Sequence, residues 1–483
     1  MKSLRNIFFS GLIWTVSENI LLTLIGLVQL YVTSHILTPI DFGIYAIAVF
    51  FYSLARIAFS MGLGPALIQR KGDISGCLNT AWTAGILIAF IASVFLGCLV
   101  PVINTYFYHE SQATLPSVVI LSACVIAAAS NPALVYFQRE IRLKKIFILN
   151  VIPRALSFGI LLLIIWLCKS YWGLIFALVS EYVFRTILSY IIYPYKPKFE
   201  FDIKIFKELY SFGGWLQIKN MISWLAGNID VAAVGNILGP VNLGFYNRAQ
   251  SISSYPRSFL DAAVNSVAFP LYSKIIDDRE RFYGVVNQIQ DLVLVLLSAI
   301  SVVVILYGQQ LISLVLGEKW DELVMPFKLL LVAYMLQSLV FSFNPVIRAM
   351  GKTKQEFLFY ILVTVLMLLF LYPGCRLWGL TGAGIAILLA TIVSFPIYLA
   401  VIKKFTGLPL RHFLVSFIVS ILSTVGTYFL IAMLGSIISI HWIAGCAISV
   451  IVLIILYMVF GFVADCPGRQ IMTSILKLRN RIC

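Results

Sequence analysis

LTPIDFGIY at residues 37–45 and LGPVNLGFY at residues 238–246 are two versions of one phrase, 201 positions apart. At the same offset Ser10 answers Ser211, Trp14 answers Trp215, Asn19 answers Asn220 and Gly26 answers Gly227. Further on, Ser53 answers Ser254 and Arg56 answers Arg257. A repeat of this length in so apolar a chain predicts a membrane protein made of two related helical bundles. Such proteins usually bind their cargo between the halves. The paired arginines stand out, because each falls inside a run that otherwise suits the bilayer.

Composition sets the class. Of 483 residues 61% are hydrophobic and 11% charged, against roughly 45–50% and about 25% in soluble domains. Fourteen apolar runs follow one another, near 12–34, 42–64, 80–103, 114–137, 146–168, 171–193, 212–237, 243–271, 285–307, 326–347, 356–374, 378–401, 413–435 and 440–463. Each suits a hydrocarbon core of about 30 Å. A spanning segment must satisfy its own backbone hydrogen bonds, so these are read as helices, giving an all-α integral membrane fold. The alternating pattern of a membrane barrel is absent. The first run follows Lys2 and Arg5 but contains Glu18 and Asn19 and lacks a clear cleavage site, so it is read as a retained helix.

The net charge of +15 is explained by topology rather than nucleic acid. Alternate connections carry the lysines and arginines, as in Arg139/Arg142/Lys144/Lys145 and Lys274/Arg279/Arg281. The intervening ones hold only Lys169, Lys319 and Arg376. By the positive-inside rule, fourteen spans with both termini in the cytoplasm fit this alternation. The eight cysteines form no CxxC pair and no cluster with histidine, so neither a metal nor a redox centre is expected.

The repeat divides the chain. An N-terminal six-helix lobe is expected at 1–195, a cytoplasmic linker with an interfacial helix at 196–211, and a second six-helix lobe at 212–404. Accessory helices thirteen and fourteen follow at 405–465, then a basic cytoplasmic tail at 466–483. The accessory pair is smooth and uncharged, which suits a lipid-facing role. Asn131-Pro132 is echoed by Asn344-Pro345, and Trp172-Gly173-Leu174 by Trp378-Gly379-Leu380. Span seven contains Lys219 and Asp230; span eight contains Arg248, Arg257 and Asp261, with Pro256 in its middle. A charge at the bilayer centre costs at least roughly 2.5–3.5 kcal/mol. These spans must therefore face water or protein. Gly213, Gly214, Gly227 and Gly235 could let span seven bend.

In the first half the intramembrane charges are Glu18, Arg56, Arg154, Glu181 and Arg185. Glu181 and Arg185, four apart, can pair along one helix face, as can Arg257 and Asp261. Arg56 has no acid among its near helical neighbours Tyr52, Ser53, Phe59 and Ser60. Two readings of Arg56 and Arg257 stay open: an anion-binding pair, since the guanidinium fork grips phosphate, or structural pairing with acids such as Glu18 or Asp230. Arg56, Lys219, Arg248 and Arg257 against Glu18, Asp230 and Asp261 leave a candidate cavity cationic by one. That lining favours cargo bearing phosphate or uronic acid and disfavours organic cations. Glu18, Asp230 and Asp261 could alternatively take up a proton or sodium ion. No Walker sequence and no glycosidase-like carboxylate pair is present. The four histidines, His35, His109, His412 and His441, lie at predicted helix ends and loops and suit the surface. No catalytic residue is assigned.

The run LGPVNLGFYNRAQSISSYPRSFLDAAVNSVAFPLYSKI at 238–275, FQRE at 137–140 with its basic tail, GEKWDELVMPFKLL at 317–330 and the 12–45 segment resemble bacterial polysaccharide-export flippases. That group belongs to the superfamily that also holds multidrug and toxin exporters and the flippase for the peptidoglycan lipid precursor. The resemblance covers about 1–465 and is greatest for the colanic acid, capsule and O-antigen exporters. It implies two six-helix lobes in a V shape with two further helices. It implies transport of an undecaprenyl-pyrophosphate-linked oligosaccharide to the outer leaflet of the cytoplasmic membrane, with an ion-coupled multidrug antiporter as the alternative. Arg56 and Arg257 match the arginines that related flippases carry on the second helix of each lobe. Lys219, Arg248, Asp230 and Glu18 are added from span placement alone. No cofactor is expected beyond a proton or sodium gradient, and the expected partners are the lipid-linked substrate, membrane lipids and the polysaccharide polymerase and chain-length machinery.

Overall fold

The computed structural model describes residues 4–70, 72–437 and 441–463. Among them every regular element is helical, as lipid demands of a chain whose backbone groups find no water. The helices are α1 (Leu4–Ile36), α2 (Pro39–Ser60), α3 (Leu63–Gln69), α4 (Ser75–Tyr106), α5 (Thr114–Ala128), α6 (Val135–Arg139), α7 (Leu143–Cys168) and α8 (Trp172–Ile192). There follow α9 (Ile203–Ile275), α10 (Arg279–Val315), α11 (Val324–Phe341), α12 (Asn344–Ala349), α13 (Thr353–Thr406), α14 (Arg411–Ile437) and α15 (Trp442–Val463).

Twelve stretches among the described residues are long and apolar enough to cross a membrane. Two of them, Asn220–Asp261 and Leu358–Thr406, run 42 and 49 residues. At about 1.5 Å per residue each is roughly twice as long as a bilayer core is thick. Each also contains a break: Gly239 at φ 81° in α9, and Trp378 with Gly379, the latter at φ 54°, in α13. The fourteen crossings expected from hydropathy require that each of these two be counted twice. The expected interfacial helix is not set apart: 203–210 are the first turns of α9, which runs on into span seven. The basic tail lies outside the described residues.

The chain forms two compact units. The first takes residues up to Asn247 with Val315–Gly317; the second takes Arg248–Leu314 and the chain from Glu318 onward. In the first unit α5 packs on α2, α4 and α8, while α7 packs on α8 and α1. In the second, α13 packs on α11 and α12, and α14 on α15.

The two echoes of Asn-Pro are joints, one in each unit. Asn131 is 2% exposed; its Oδ1 accepts from Ala133 N–H at 2.9 Å and its Nδ2 donates to the Tyr193 carbonyl at 2.6 Å. Thus the entry to α6 is fastened to the end of α8. Asn344 accepts from the Tyr398 hydroxyl at 2.5 Å, fastening the start of α12 to α13. Proline at the first turn loses no helical hydrogen bond, and at the first joint the buried Asn131 amide caps the 3-10 turn Pro132–Leu134.

The repeated phrase has a packing reason. A Cβ on Gly43 would land on the Pro240 carbonyl, and a Cβ on Gly244 would land on the Pro39 carbonyl. The two copies interlock, each glycine receiving the peptide of the other copy's proline. In the first copy Thr38 N–H donates to Asp41 Oδ2 at 2.8 Å, capping α2. In the second copy Gly239 takes Thr38's place with a positive φ, which glycine adopts without strain. This break lies beyond span seven, where α9 passes into span eight, and none falls at the glycines named within 212–237. Gly213 and Gly235 are instead points of close approach, to Gly62 and to the Tyr108 ring.

Within the first unit α2 lies along α9, head to tail. Gly43 meets Pro240 at one end and Gly62 meets Gly213 at the other. Between them Trp224 Nε1 donates to Ser53 Oγ at 3.0 Å, Ser60 Oγ donates to Gln217 Oε1 at 2.7 Å, and Gln217 Nε2 donates to the Ile57 carbonyl. As the α2 number falls the α9 number rises, so the pair is antiparallel and closed over most of its length.

Candidate functional site

Apolar helices place their few polar side chains where protein or water can meet them, and in the first unit these gather on α1, α2, α7 and α8. Asn150 and Arg154 are four apart on α7 and share a face. Asn150 Nδ2 donates to Glu18 Oε1 at 2.6 Å. Arg154 donates to Glu181 Oε2 at 2.8 Å and to Gln29 Oε1 at 2.7 Å. The Glu181–Arg185 pair expected from spacing is not formed: Arg154, from the neighbouring helix, takes the carboxylate instead.

Arg56 is exposed on α2. Its Nη1 reaches the Tyr182 hydroxyl at 3.5 Å, a long and weak contact. The Tyr182 ring lies 5.8 Å from that of Tyr52, one turn before Arg56. Among the described residues no carboxylate comes within 4.0 Å of Arg56. Glu18, offered as its structural partner, is bound to Asn150.

Arg257 is in a different state. Its Nε is 3.5 Å from Asp261 Oδ2, and both side chains are 26% exposed. Its Nη1 donates to Gln337 Oε1 at 2.5 Å, and Gln337 Nε2 passes the chain on to Thr391 Oγ1 at 3.0 Å. The guanidinium also lies over the rings of Phe341, at 4.6 Å, and Tyr334, at 5.4 Å, contacts attractive for a cation over a π face. Two arginines on matched positions are thus unequally engaged.

Asp230 is 2% exposed. Its Oδ2 accepts from the Tyr246 hydroxyl at 2.6 Å, and its Oδ1 from the Val231 N–H at 2.9 Å. It therefore binds the last residue of the second phrase. Arg248 is partly buried. Lys219 lies in α9, but its side chain is outside the described residues.

Three polar groups escaped sequence reasoning. Gln29 holds the position 201 residues before Asp230, and the repeat offset could have found it. Asp291, 3% exposed at its side chain, meets His412 Nε2 at 3.0 Å. His412 is thus half-buried and engaged with Asp291, and α14 is not featureless: Ser298 also donates to Ser420 at 3.1 Å. Lys328, in the GEKW segment, donates to the Ile305 carbonyl at 2.9 Å, next to the break in α10 at Tyr307.

Residues 32–325 match the family model described as polysaccharide biosynthesis protein. The chain is 24% identical over 86% of its length to the lipopolysaccharide biosynthesis protein WzxC of Escherichia coli strain K12, of which 85% is covered. It is 25% identical over 82% of its length to the teichuronic acid biosynthesis protein TuaB of Bacillus subtilis strain 168, covering 82% of that protein. A putative O-antigen transporter of Shigella flexneri is 25% identical, with 77% of this chain and 92% of that protein covered. Among solved structures, the lipid II flippase MurJ in its inward closed conformation matches with a TM-score of 0.73 over 94% of this chain and 98% of that one, at 16% identity. An inward-facing multidrug resistance transporter of the MATE family matches at 0.62 over 80% and 96%, also at 16% identity. Those two likenesses speak for the exporter fold alone. The family model covers more than half of the sequence, and the chain belongs to the polysaccharide biosynthesis protein family.

Proposed function

We propose that this protein is a flippase that carries a lipid-linked oligosaccharide from the cytoplasmic to the periplasmic leaflet, for O-antigen, capsule or exopolysaccharide synthesis. It is a transporter rather than an enzyme. The observation that carries the reading is Arg56: an exposed guanidinium within a span, with no carboxylate beside it. A charge so placed is costly unless it is compensated, and the phosphate of a lipid carrier supplies the missing charge with matching geometry. The relatives named for lipopolysaccharide, teichuronic acid and O-antigen support the same cargo. The multidrug alternative rests on likeness of fold.

In this reading the anionic linkage of an undecaprenyl-pyrophosphate carrier docks at Arg56, while the polyprenyl tail stays in lipid. Arg257, Arg248 and Lys219 are further candidate cations for the same cargo as access alternates between the two faces of the membrane. Glu18, Asp230 and Asp261 are the candidates for coupling to a proton or sodium gradient. The alternation of basic loops supports a cytoplasmic position for both termini, and in this reading the polymerase receives the product outside. A strain lacking the protein tests this. Loss of surface polymer with accumulation of lipid-linked repeat units is expected. Hypersensitivity to cationic drugs with normal polymer would overturn the reading in favour of drug export.

A further inference from the structure

We infer that Arg185 on α8 is a second phosphate-binding cation beside Arg56, and that the two together select a diphosphate over a monophosphate. This rests on the flippase reading and deepens it.

By spacing alone Glu181, one turn earlier, pairs with Arg185. The structure removes that partner. Glu181 Oε2 is held by Arg154 at 2.8 Å, and Arg154 is fixed from its other side by Gln29 at 2.7 Å. The one acid on this face of α8 is therefore spent on a guanidinium from α7. Among the described residues Arg185 has no carboxylate within 4.0 Å, and it is partly exposed.

Position links Arg185 to Arg56. Tyr182, whose hydroxyl is 3.5 Å from Arg56 Nη1, precedes Arg185 by three residues on the same helix. Residues three apart are neighbours on a helix surface, separated by about 4.5 Å along the axis. Tyr182 is held in turn by the Tyr52 ring on α2, so the α2 and α8 faces bearing the arginines are in contact. Both cations are consequently borne by helices that meet through Tyr52 and Tyr182, with the Tyr182 hydroxyl beside Arg56 as a further hydrogen-bonding group.

The chemistry fits a diphosphate. Two adjacent guanidinium groups repel each other, and an anion bridging them relieves the repulsion. A monophosphate can satisfy one planar fork bidentately. A diphosphate offers a second phosphoryl group to a second fork, and it brings more negative charge into the span, needing more than one cation to offset it. Arg56 alone would bind either; Arg185 adds an interaction that only the longer anion makes. Hydrogen bonds to charged groups contribute enough to make that preference about tenfold to a hundredfold.

The test uses the full-length purified protein in detergent, titrated with farnesyl pyrophosphate and with farnesyl monophosphate. Wild type is expected to prefer the pyrophosphate by at least about tenfold. Arg185→Gln should bring that ratio close to one while leaving monophosphate affinity within about twofold; Arg56→Gln should weaken both ligands. Arg185→Lys, which keeps charge but not the fork, should fall between, and it serves if Arg185→Gln melts early. An unchanged ratio in Arg185→Gln, with binding lost in Arg56→Gln, overturns the inference and leaves the flippase reading intact. Unchanged binding in both overturns the phosphate role of Arg56 and the inference with it. Displacement of farnesyl pyrophosphate by phosphatidylglycerol at equal potency would show that the site reads any lipid phosphate, and this also overturns the inference.

Discussion

Ser60 is the first-copy counterpart of Asp261, 201 positions earlier, and it decides whether Arg56 is free to bind an anion. In the second copy Asp261 lies one turn after Arg257 and pairs with it at 3.5 Å. In the first copy Ser60 lies one turn after Arg56 and donates instead to Gln217 at 2.7 Å. The substitution Ser60→Asp therefore transplants the second copy's state into the first. Neighbours four apart stand about 5–6 Å apart. At that separation, with an effective dielectric constant near 20, a new carboxylate opposes an anion bound at Arg56 by about 3 kcal/mol. That is roughly a hundredfold loss of affinity. The assay is complementation of surface polymer in a strain lacking the protein, together with farnesyl pyrophosphate binding to the purified variant. Ser60→Ala separates charge from geometry: it deletes the same hydrogen bond to Gln217 but adds no charge, and it should complement. If Ser60→Asp accumulates and melts like wild type yet still sustains full polymer and full binding, an anion site at Arg56 is refuted.

Gly43→Ala should destabilise the protein by about 1–3 kcal/mol, because its Cβ meets backbone that cannot swing aside. Gly227→Ala, with open space around it, should be neutral or stabilising by up to about 1 kcal/mol from helix propensity; thermal aggregation in detergent ranks the two, and equal midpoints would refute the interlock. The double variant Gly43→Ala/Gly244→Ala should cost less than the sum of its parts, since one separation of the two copies relieves both overlaps. Arg257→Ala should lower protein abundance more than Arg56→Ala does, because it removes one partner of Asp261 and one of Gln337; immunoblots of membranes measure this. His412→Ala leaves the carboxylate of Asp291 buried alone and should cost about 3–5 kcal/mol, seen as early melting that the double variant His412→Ala/Asp291→Leu restores in part.

Features with a short sequence signature were readable before the structure. The offset of 201 marked the two copies, the i, i+4 spacing marked Arg257 with Asp261, and the Asn-Pro echo marked the joints at Asn131 and Asn344. What escaped depends on which helices meet. Arg154 outcompeted Arg185 for Glu181 because α7 and α8 pack closely, and nothing in the spacing of 154 and 181 announces it. Asp291 and His412 are 121 residues apart, so the tie between α10 and α14 has no local sign. The glycines of span seven misled in an instructive way. Gly213 and Gly235 look like hinges in a sequence, yet they are places where another chain segment presses in. The break in α9 falls at Gly239, between spans seven and eight, marked by its place before Pro240.

The two copies thus keep a shape in common and differ in chemistry. Gly43 and Gly244 each accommodate the other copy's proline peptide, so neither copy of the phrase can change at that point without disturbing its twin. No such mutual constraint acts one turn beyond the arginines. A serine in one copy and an aspartate in the other change the charge beside each guanidinium without touching the interlock. Likewise Gln29 accepts from Arg154 while its counterpart Asp230 accepts from Tyr246. In the proposed reading Arg56, with no carboxylate beside it, is the anion's first contact, since Arg257 is already tied to Asp261 and Gln337. An anion at Arg257 would have to displace the carboxylate of Asp261.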